Sequence, residues 1–307
     1  MPEQPDVGGA PPGGDASRRF GPDRVMDVGL PGRAARLVLV DATETAIEAE
    51  FRHLAGRVAA IVMARAAAAS LLIGSDLKND ERLAIQVHAE GPLKGFLVET
   101  DASLRFRGYT QIKALEGYDS GSLPYVFGLG ARGRVQFLRS TAAGVFYRSL
   151  TALRFGDVAA DLETALNQSQ QTPSRLWLDH AYDRRVLRSG GALLQALPGA
   201  ELSEFTALAD RIATRAQAAR PWPRDLDALC DALLPPDVER RTLSTRLAAF
   251  ACRCTRERVV ELLKSLGPPE EEQSYPPESR VTCVFCNDVF EIPSDELGGG
   301  GPVQGAP

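Results

Sequence analysis

The spacing of apolar residues changes character twice along this chain, and the changes divide it into three parts. Between Arg36 and Asp41 the run Leu37-Val38-Leu39-Val40 predicts a strand, and Thr43 is placed to cap a helix behind it. Helical spacing then holds to about Leu72, with Gly56 predicting a break between two helices. Leu83, Ile85 and Val87 alternate with polar residues, the period-2 signature of a half-buried strand. Strand-like runs follow at residues 95–99, 104–109, 125–129 and 135–139, separated by glycine-containing turns. A helix is predicted over residues 157–169, with Asp157 at the positive end of its dipole. Residues 176–178 and 192–197 read as two more strands, which makes residues 25–199 an α+β domain.

Beyond Pro198-Gly199 the pattern turns wholly helical. Leu202, Phe205, Leu208, Ile212 and Ala216 repeat at helical spacing, and Pro221, Pro223, Pro235 and Pro236 then cut short pieces around Leu226, Leu229 and Leu233. Helices that short are marginal alone in water, so they must dock on a neighbour. Residues 200–250 are therefore predicted as a helical linker and residues 251–293 as a small separate unit. The Pro/Gly-rich ends, residues 1–24 and 294–307, are predicted as flexible tails.

Composition narrows the function classes. Apolar residues make up 44% and charged residues 24%, an ordinary globular balance. The net charge of −5 gives no electrostatic reason to expect nucleic acid or an anionic membrane as partner. The longest apolar stretch, residues 58–74, carries Arg65 and falls short of the roughly 20 residues a spanning helix needs. It reads as a buried, alanine-rich helix. The start of the chain places Glu3, Asp6 and Asp15 among Pro and Gly, unlike a secretory signal or an acid-poor transit peptide, so the expected location is the cytoplasm.

The candidate chemistry lies in the cysteines. Four of the five fall near the C-terminus, as Cys252-Arg253-Cys254, 28 residues, then Cys283-Val284-Phe285-Cys286. Two close pairs of thiolates can close a tetrahedral zinc site, and C-x-x-C is the usual spacing for half of one. The intervening sequence predicts a helix over residues 255–266 ended by Gly267-Pro268, and a strand pair at residues 280–282 and 289–292. So few large apolar side chains cannot make a self-sufficient core, and a metal staple is the physical expectation. Residues 252–292 carry five basic and eight acidic side chains, the wrong sign for a zinc ribbon that reads phosphate. On spacing alone, a structural zinc ribbon and a redox-active thiol site both stay open.

A wider set of residues carries a resemblance. Cys252-Arg-Cys-Thr-Arg-Glu-Arg-Val, Ser265-Leu-Gly and Val281-Thr-Cys-Val-Phe-Cys286 resemble the heat-shock protein 33 family of redox-regulated chaperones. So do residues 66–78, 83–93, 104–109, 168–174 and 194–199 upstream, and the likeness covers roughly residues 33–292. The resemblance implies an N-terminal α+β domain, a helical linker and a C-terminal zinc-thiolate domain. It implies one zinc held by Cys252, Cys254, Cys283 and Cys286 in a reduced, inactive form. Oxidation would pair Cys252 with Cys254 and Cys283 with Cys286, free the metal and let the protein hold unfolding clients without being an enzyme. A homodimer of the oxidised form is a further expectation. The apolar residues Phe205, Leu208, Ile212, Leu229, Leu233, Leu247 and Phe250 are the expected client surface, because their order depends on docking. The chemistry suits a switch: zinc keeps thiols as thiolates, and a C-x-C disulfide closes a small strained ring that is easily reduced.

Other motifs point elsewhere. Gly128-Leu-Gly-Ala-Arg-Gly133 fits the dinucleotide fingerprint, but strand-like alternation follows it instead of a helix, so it is read as a hairpin turn. Cys230 lies among Leu229 and Leu233 and reads as a small buried side chain. His53, His88 and His180 are scattered and read as surface or structural residues. A thioredoxin-type oxidoreductase would need its C-x-x-C in a βαβ setting, which Cys283–Cys286 lacks.

Overall fold

A computed structural model describes residues 21–117, 124–170, 172–268 and 274–297. In chain order its elements are β1 (Asp23–Leu30), β2 (Ala35–Asp41), α1 (Thr43–His53), α2 (Arg57–Ile73), β3 (Arg82–Ala89), β4 (Gly95–Asp101), β5 (Arg105–Thr110) and α3 (Val126–Leu129). They continue as β6 (Gly133–Thr141), β7 (Gly144–Leu153), α4 (Val158–Gln170), β8 (Ser174–Tyr182), β9 (Val186–Ala196), α5 (Leu202–Ala218), α6 (Leu226–Leu233) and β10 (Arg241–Phe250). Last come α7 (Arg256–Leu266), β11 (Glu278–Thr282) and β12 (Val289–Pro293). The α+β class stands.

Ten strands form one sheet in the order β7-β6-β3-β4-β5-β10-β1-β2-β9-β8. Its two halves meet at a parallel β5–β10 contact of two residue pairs, Arg105 with Ala249 and Phe106 with Phe250. Helix α2 is the centre of the main core. Sixteen of its 17 residues are buried, and its alanines let both half-sheets approach closely. Opposite Leu72 the sheet carries Gly191, where a Cβ would come within 2.7 Å of the Leu72 side chain. The run from Arg57 to Asp76 is long and apolar enough to cross a membrane, yet it lies wholly buried inside the protein. Arg65 is held there by an ion pair to Asp157 at 3.1 Å and by the face of Tyr125.

Within the half-sheet β10-β1-β2-β9-β8, strands β2 and β9 are covered on both faces and read as near-continuous apolar runs, whereas β10 is mostly exposed. In β2, Val38 and Val40 face α2, whereas Leu37 and Leu39 face a second core built with α5 and α6. Phe205, Leu208, Ile212, Trp222, Leu229, Cys230 and Leu233 all lie in that second core. The docking predicted from the shortness of these helices is what the structure contains, and Cys230 is fully buried in the same core, with Arg240 beside its sulfur.

Several expectations change. Residues 241–250 are not helical linker but strand β10, which pairs antiparallel with β1. The β-branched and alternating run Thr242-Leu243-Ser244-Thr245 fits the open side of β1, a long-range partner invisible to local pattern. Residues 1–20 of the expected N-terminal tail lie outside the described residues, but Asp23 and Arg24 already belong to β1. Likewise Ser294–Leu297 is a short 3₁₀ turn with Leu297 buried, and only residues 298–307 of the expected C-terminal tail fall outside. The run at residues 125–129 is helix α3, not strand, and Gly128–Gly133 therefore links a helical turn to β6 instead of making a hairpin. The loop after β3 packs closely on this turn through a glycine of its own: a Cβ on Gly91 would meet the Leu129 carbonyl at 2.3 Å. Thr43 is the first residue of α1, not its cap. The first free N–H groups of that helix go to Asp41 and Asp23.

Candidate metal centre

Two separate segments bring the four C-terminal cysteines to one point. Cys252 and Cys254 follow directly on β10, whose end is fixed where Ala251 N–H donates to the Phe106 carbonyl at 2.8 Å. Helix α7 starts immediately afterwards, its first turn capped by Thr255 Oγ1 accepting from Arg258 N–H. Cys283 and Cys286 occupy the turn between β11 and β12. There Asn287 N–H donates to the Cys283 carbonyl at 2.8 Å, Cys283 N–H donates to the Asp288 carbonyl at 2.9 Å, and Asn287 takes the left-handed φ of 63° that asparagine tolerates. Among the described residues, the small buried core of this unit is Val259 of α7, Ile292 of β12 and Leu297 of the turn that follows.

The four sulfurs lie within 4.8 Å of one another, and this set could hold a metal ion. Cys252 Sγ is 3.7 Å from Cys283 Sγ, and Cys254 Sγ is 3.2 Å from Cys286 Sγ. All four are free thiols, since a disulfide needs about 2.05 Å. Crowding sets them against one another electrostatically. The Cys286 thiol holds Cys252 down to about 4, helped by Cys254 and the Arg107 guanidinium. Burial pushes Cys254 up to about 12, and Cys286 is driven up by the hydrogen bond it gives Cys252 and by burial. A charge on one sulfur is thus supported by protons kept on its neighbours. A divalent cation is what allows such a group to ionise together.

The turn holding Cys283 and Cys286 is seated on the large sheet. Arg107 on β5 stacks its guanidinium 4.0 Å from the Phe285 ring centroid, pairs with Glu99 at 2.7 Å and reaches to 3.9 Å from Cys252 Sγ. Tyr109, next on the same face, meets Phe285 edge-to-face at 5.4 Å. Glu99 also binds Arg253, the residue between the first two cysteines. From the end of α1, Arg52 pairs with Asp288 at 2.8 Å and donates to the Cys286 carbonyl at 3.4 Å. His53 is buried, and its Nε2 lies 3.0 Å from the Gly108 carbonyl and 3.1 Å from the Phe285 carbonyl. Carbonyls only accept, so Nε2 carries the proton. Burial, with Lys113 beside it, pushes the ring below the ordinary imidazole range and keeps it neutral. Lys113 Nζ donates to Asn287 Oδ1 at 3.0 Å.

Spacing alone located the four cysteines, but not Arg52, His53, Glu99, Arg107 or Lys113. These lie more than 130 residues away from the cysteines they serve, with no local motif. Of the residues expected to meet clients, Phe205, Leu208, Ile212, Leu229 and Leu233 are buried under 6% exposure in the second core. Leu247 is instead 62% exposed, and Phe250 packs edge-on to Phe106 with Arg52 above its ring.

Comparison with known proteins places these features together. The chain matches the family described as Hsp33 protein over residues 23–293. It is 30% identical over 270 residues to the 33 kDa chaperonin of Bacillus cereus (strain G9842), covering 85% of this chain and 92% of that one. It is 29% identical over 295 residues to the 33 kDa chaperonin of Prochlorococcus marinus subsp. pastoris, covering 90% and 97%. Among solved structures, the 33 kDa chaperonin (heat shock protein 33 homolog) of Thermotoga maritima superposes with a TM-score of 0.72 at 20% identity. That match covers 90% of this chain and 96% of that one, and it supports the fold.

Proposed function

This chain belongs to the Hsp33 family, and from that premise we propose that it is a redox-gated holdase, silent while its four cysteines are reduced and active once they are oxidised. The observation that carries the reading is the convergence of Cys252, Cys254, Cys283 and Cys286 on one point docked against the sheet. Zinc fits this donor set. Four thiolates at about 2.3 Å from a tetrahedral centre lie about 3.8 Å apart. The 3.7 Å between Cys252 and Cys283 matches that edge, and Cys254 and Cys286, at 3.2 Å, would move apart by about half an ångström around the ion. Zinc, when bound, would supply the charge that lets all four thiols ionise and would staple α7 to the hairpin.

The switch itself is thiol chemistry. Each pair, Cys252 with Cys254 and Cys283 with Cys286, gives two electrons and two protons to one peroxide, which leaves as two waters, and an S–S bond forms. The disulfide sulfurs carry no charge to hold a cation, and the turn at residues 283–288 loses the shape that fits its seat. We assign the cover function to α5 and α6, with residues 25–199 as the body that they shield and residues 251–293 as the sensor. Lifting the helices would present Phe205, Leu208, Ile212, Leu229 and Leu233 to unfolding clients, while Leu247 and Phe250 on β10 border the same half-sheet.

The test measures metal content and free thiols before and after peroxide, with suppression of aggregation of a chemically unfolded probe protein followed in parallel. The reading expects about one zinc per reduced chain, four thiols lost on oxidation, and suppression only afterwards. Metal retained in the active form would point to a structural zinc unit, and catalytic turnover of a dithiol substrate would point to an oxidoreductase.

A further inference from the structure

Helices α5 and α6 are joined by Arg220-Pro221-Trp222-Pro223-Arg224, and this turn meets the sheet through charge as well as apolar contact. Trp222 is 1% exposed, and its backbone N–H donates to Asp179 Oδ2 at 3.0 Å. Arg188 donates to the Pro223 carbonyl at 2.6 Å and lies 3.7 Å from Asp179. Arg220 donates to the Leu178 carbonyl at 3.0 Å and stands 3.5 Å from Asp179. Arg224 Nε donates to Asp41 Oδ2 at 2.8 Å.

The receiving groups form a built site. Asp41 on β2 and Asp179 on β8 both stand opposite Gly190 on β9, so the two carboxylates flank a position with no side chain, and the Arg188 guanidinium lies against it. Asp41, Asp179 and Arg188 are 6%, 4% and 7% exposed. Charges that far out of water persist only when paired, so each partner depends strongly on the other. Among the described residues, the apolar core beneath α5 and α6 includes none beyond Val238, and these pairs involve none of the cysteine unit.

We propose that the Arg220–Arg224 turn is a polar latch that sets how readily α5 and α6 lift, with Asp41, Asp179, Arg188 and Arg224 as positioning residues separate from the cysteines. The inference rests on the reading of these helices as the cover of the client surface. It gives the closed state a second lock, beside the one that oxidation opens.

The experiment uses the full-length, reduced, metal-loaded protein with Arg224→Gln, Asp41→Asn and the double variant. Hydrogen exchange is followed across residues 202–233, and exchange in α2 and metal content serve as controls. Arg224→Gln leaves the buried Asp41 carboxylate without the cation that donates to it, whereas Asp41→Asn removes the nearest carboxylate of Arg224, which keeps Asp23 at 3.9 Å. Arg224→Gln is expected to speed exchange in α5 and α6 at least tenfold and Asp41→Asn by less, with both controls unchanged. The double variant replaces the ion pair by an amide pair and should return exchange toward wild type. Arg224→Lys, which keeps charge but loses the planar fork, should fall between and serves if a neutral variant does not fold. Unchanged exchange at residues 202–233 in the single variants, or in Arg224→Lys where they do not fold, overturns the latch. Fast exchange with no capture of unfolded probe protein by the reduced variant, where oxidised wild type does capture it, upholds the latch and overturns the cover reading.

Discussion

Replacing Phe285 by alanine separates docking of the cysteine unit from metal binding. The ring lies between the two cysteines of the C-x-x-C turn but ligates nothing, and its side chain faces Arg107 and Tyr109 on β5. An aromatic pair contributes about 0.5–1.5 kcal/mol and a half-buried cation–π contact about 0.5–2 kcal/mol, so the loss is roughly 1–3 kcal/mol of docking energy. At about 1.4 kcal/mol per tenfold, undocking should become between about fivefold and a hundredfold more populated. The remaining seat, Arg52 to Asp288, His53 to the Phe285 carbonyl and Lys113 to Asn287, is unaffected, so the unit should still find its place. Hydrogen exchange at residues 106–112 should accelerate by that factor in the reduced protein, and peroxide should consume thiols faster. Metal stoichiometry should be unchanged, because the separate core of Val259, Ile292 and Leu297 keeps α7 and the hairpin together. Unchanged exchange at residues 106–112 would show that the seat does not govern docking, and loss of metal would show that ring and ligands cannot be separated.

Three further outcomes are expected. Changing any of Cys252, Cys254, Cys283 or Cys286 to serine should abolish tight zinc binding, removing much of a term on the order of 10–16 kcal/mol, and elemental analysis of the purified variants checks it. Cys230→Ser places a hydroxyl in a fully buried site with only Arg240 as a polar side-chain neighbour, and should lower stability by at most roughly 1–2 kcal/mol in denaturant titration, with zinc content and peroxide activation intact; failure to activate would bring Cys230 into the switch. Asp23 is buried beside Asp41, the first turn of α1 and Arg224, and burial pushes its carboxyl up to about 7. The folded state therefore binds its proton at higher pH than the unfolded chain. Its contribution should favour folding as pH falls from about 7 toward 4, with a slope on the order of 1.4 kcal/mol per pH unit. Asp23→Asn should remove that slope from a Tm series between pH 5 and 7, and a series identical to wild type would contradict it.

By itself the sequence determined what is local or repeated. Apolar alternation marked β3, an unbroken apolar run marked β2, glycine at position 56 separated α1 from α2, and prolines bounded α6. The cysteine spacing was legible because a metal's donors must be supplied as close pairs on tight turns, and such pairs lie near one another in the chain. Tertiary structure decided the rest. Residues 241–250 carry enough apolar character for either period, and only the open side of β1, over 200 residues earlier, makes them a strand. His53 and Arg107 have no motif, because their role comes from a turn that reaches them across the fold. Asp41 and Asp179 are ordinary carboxylates in sequence, and they become a paired site only when strand register sets both opposite Gly190. Local pattern is written by each residue's own burial and backbone preference; pairing between distant segments is decided by the summed energy of the packed whole.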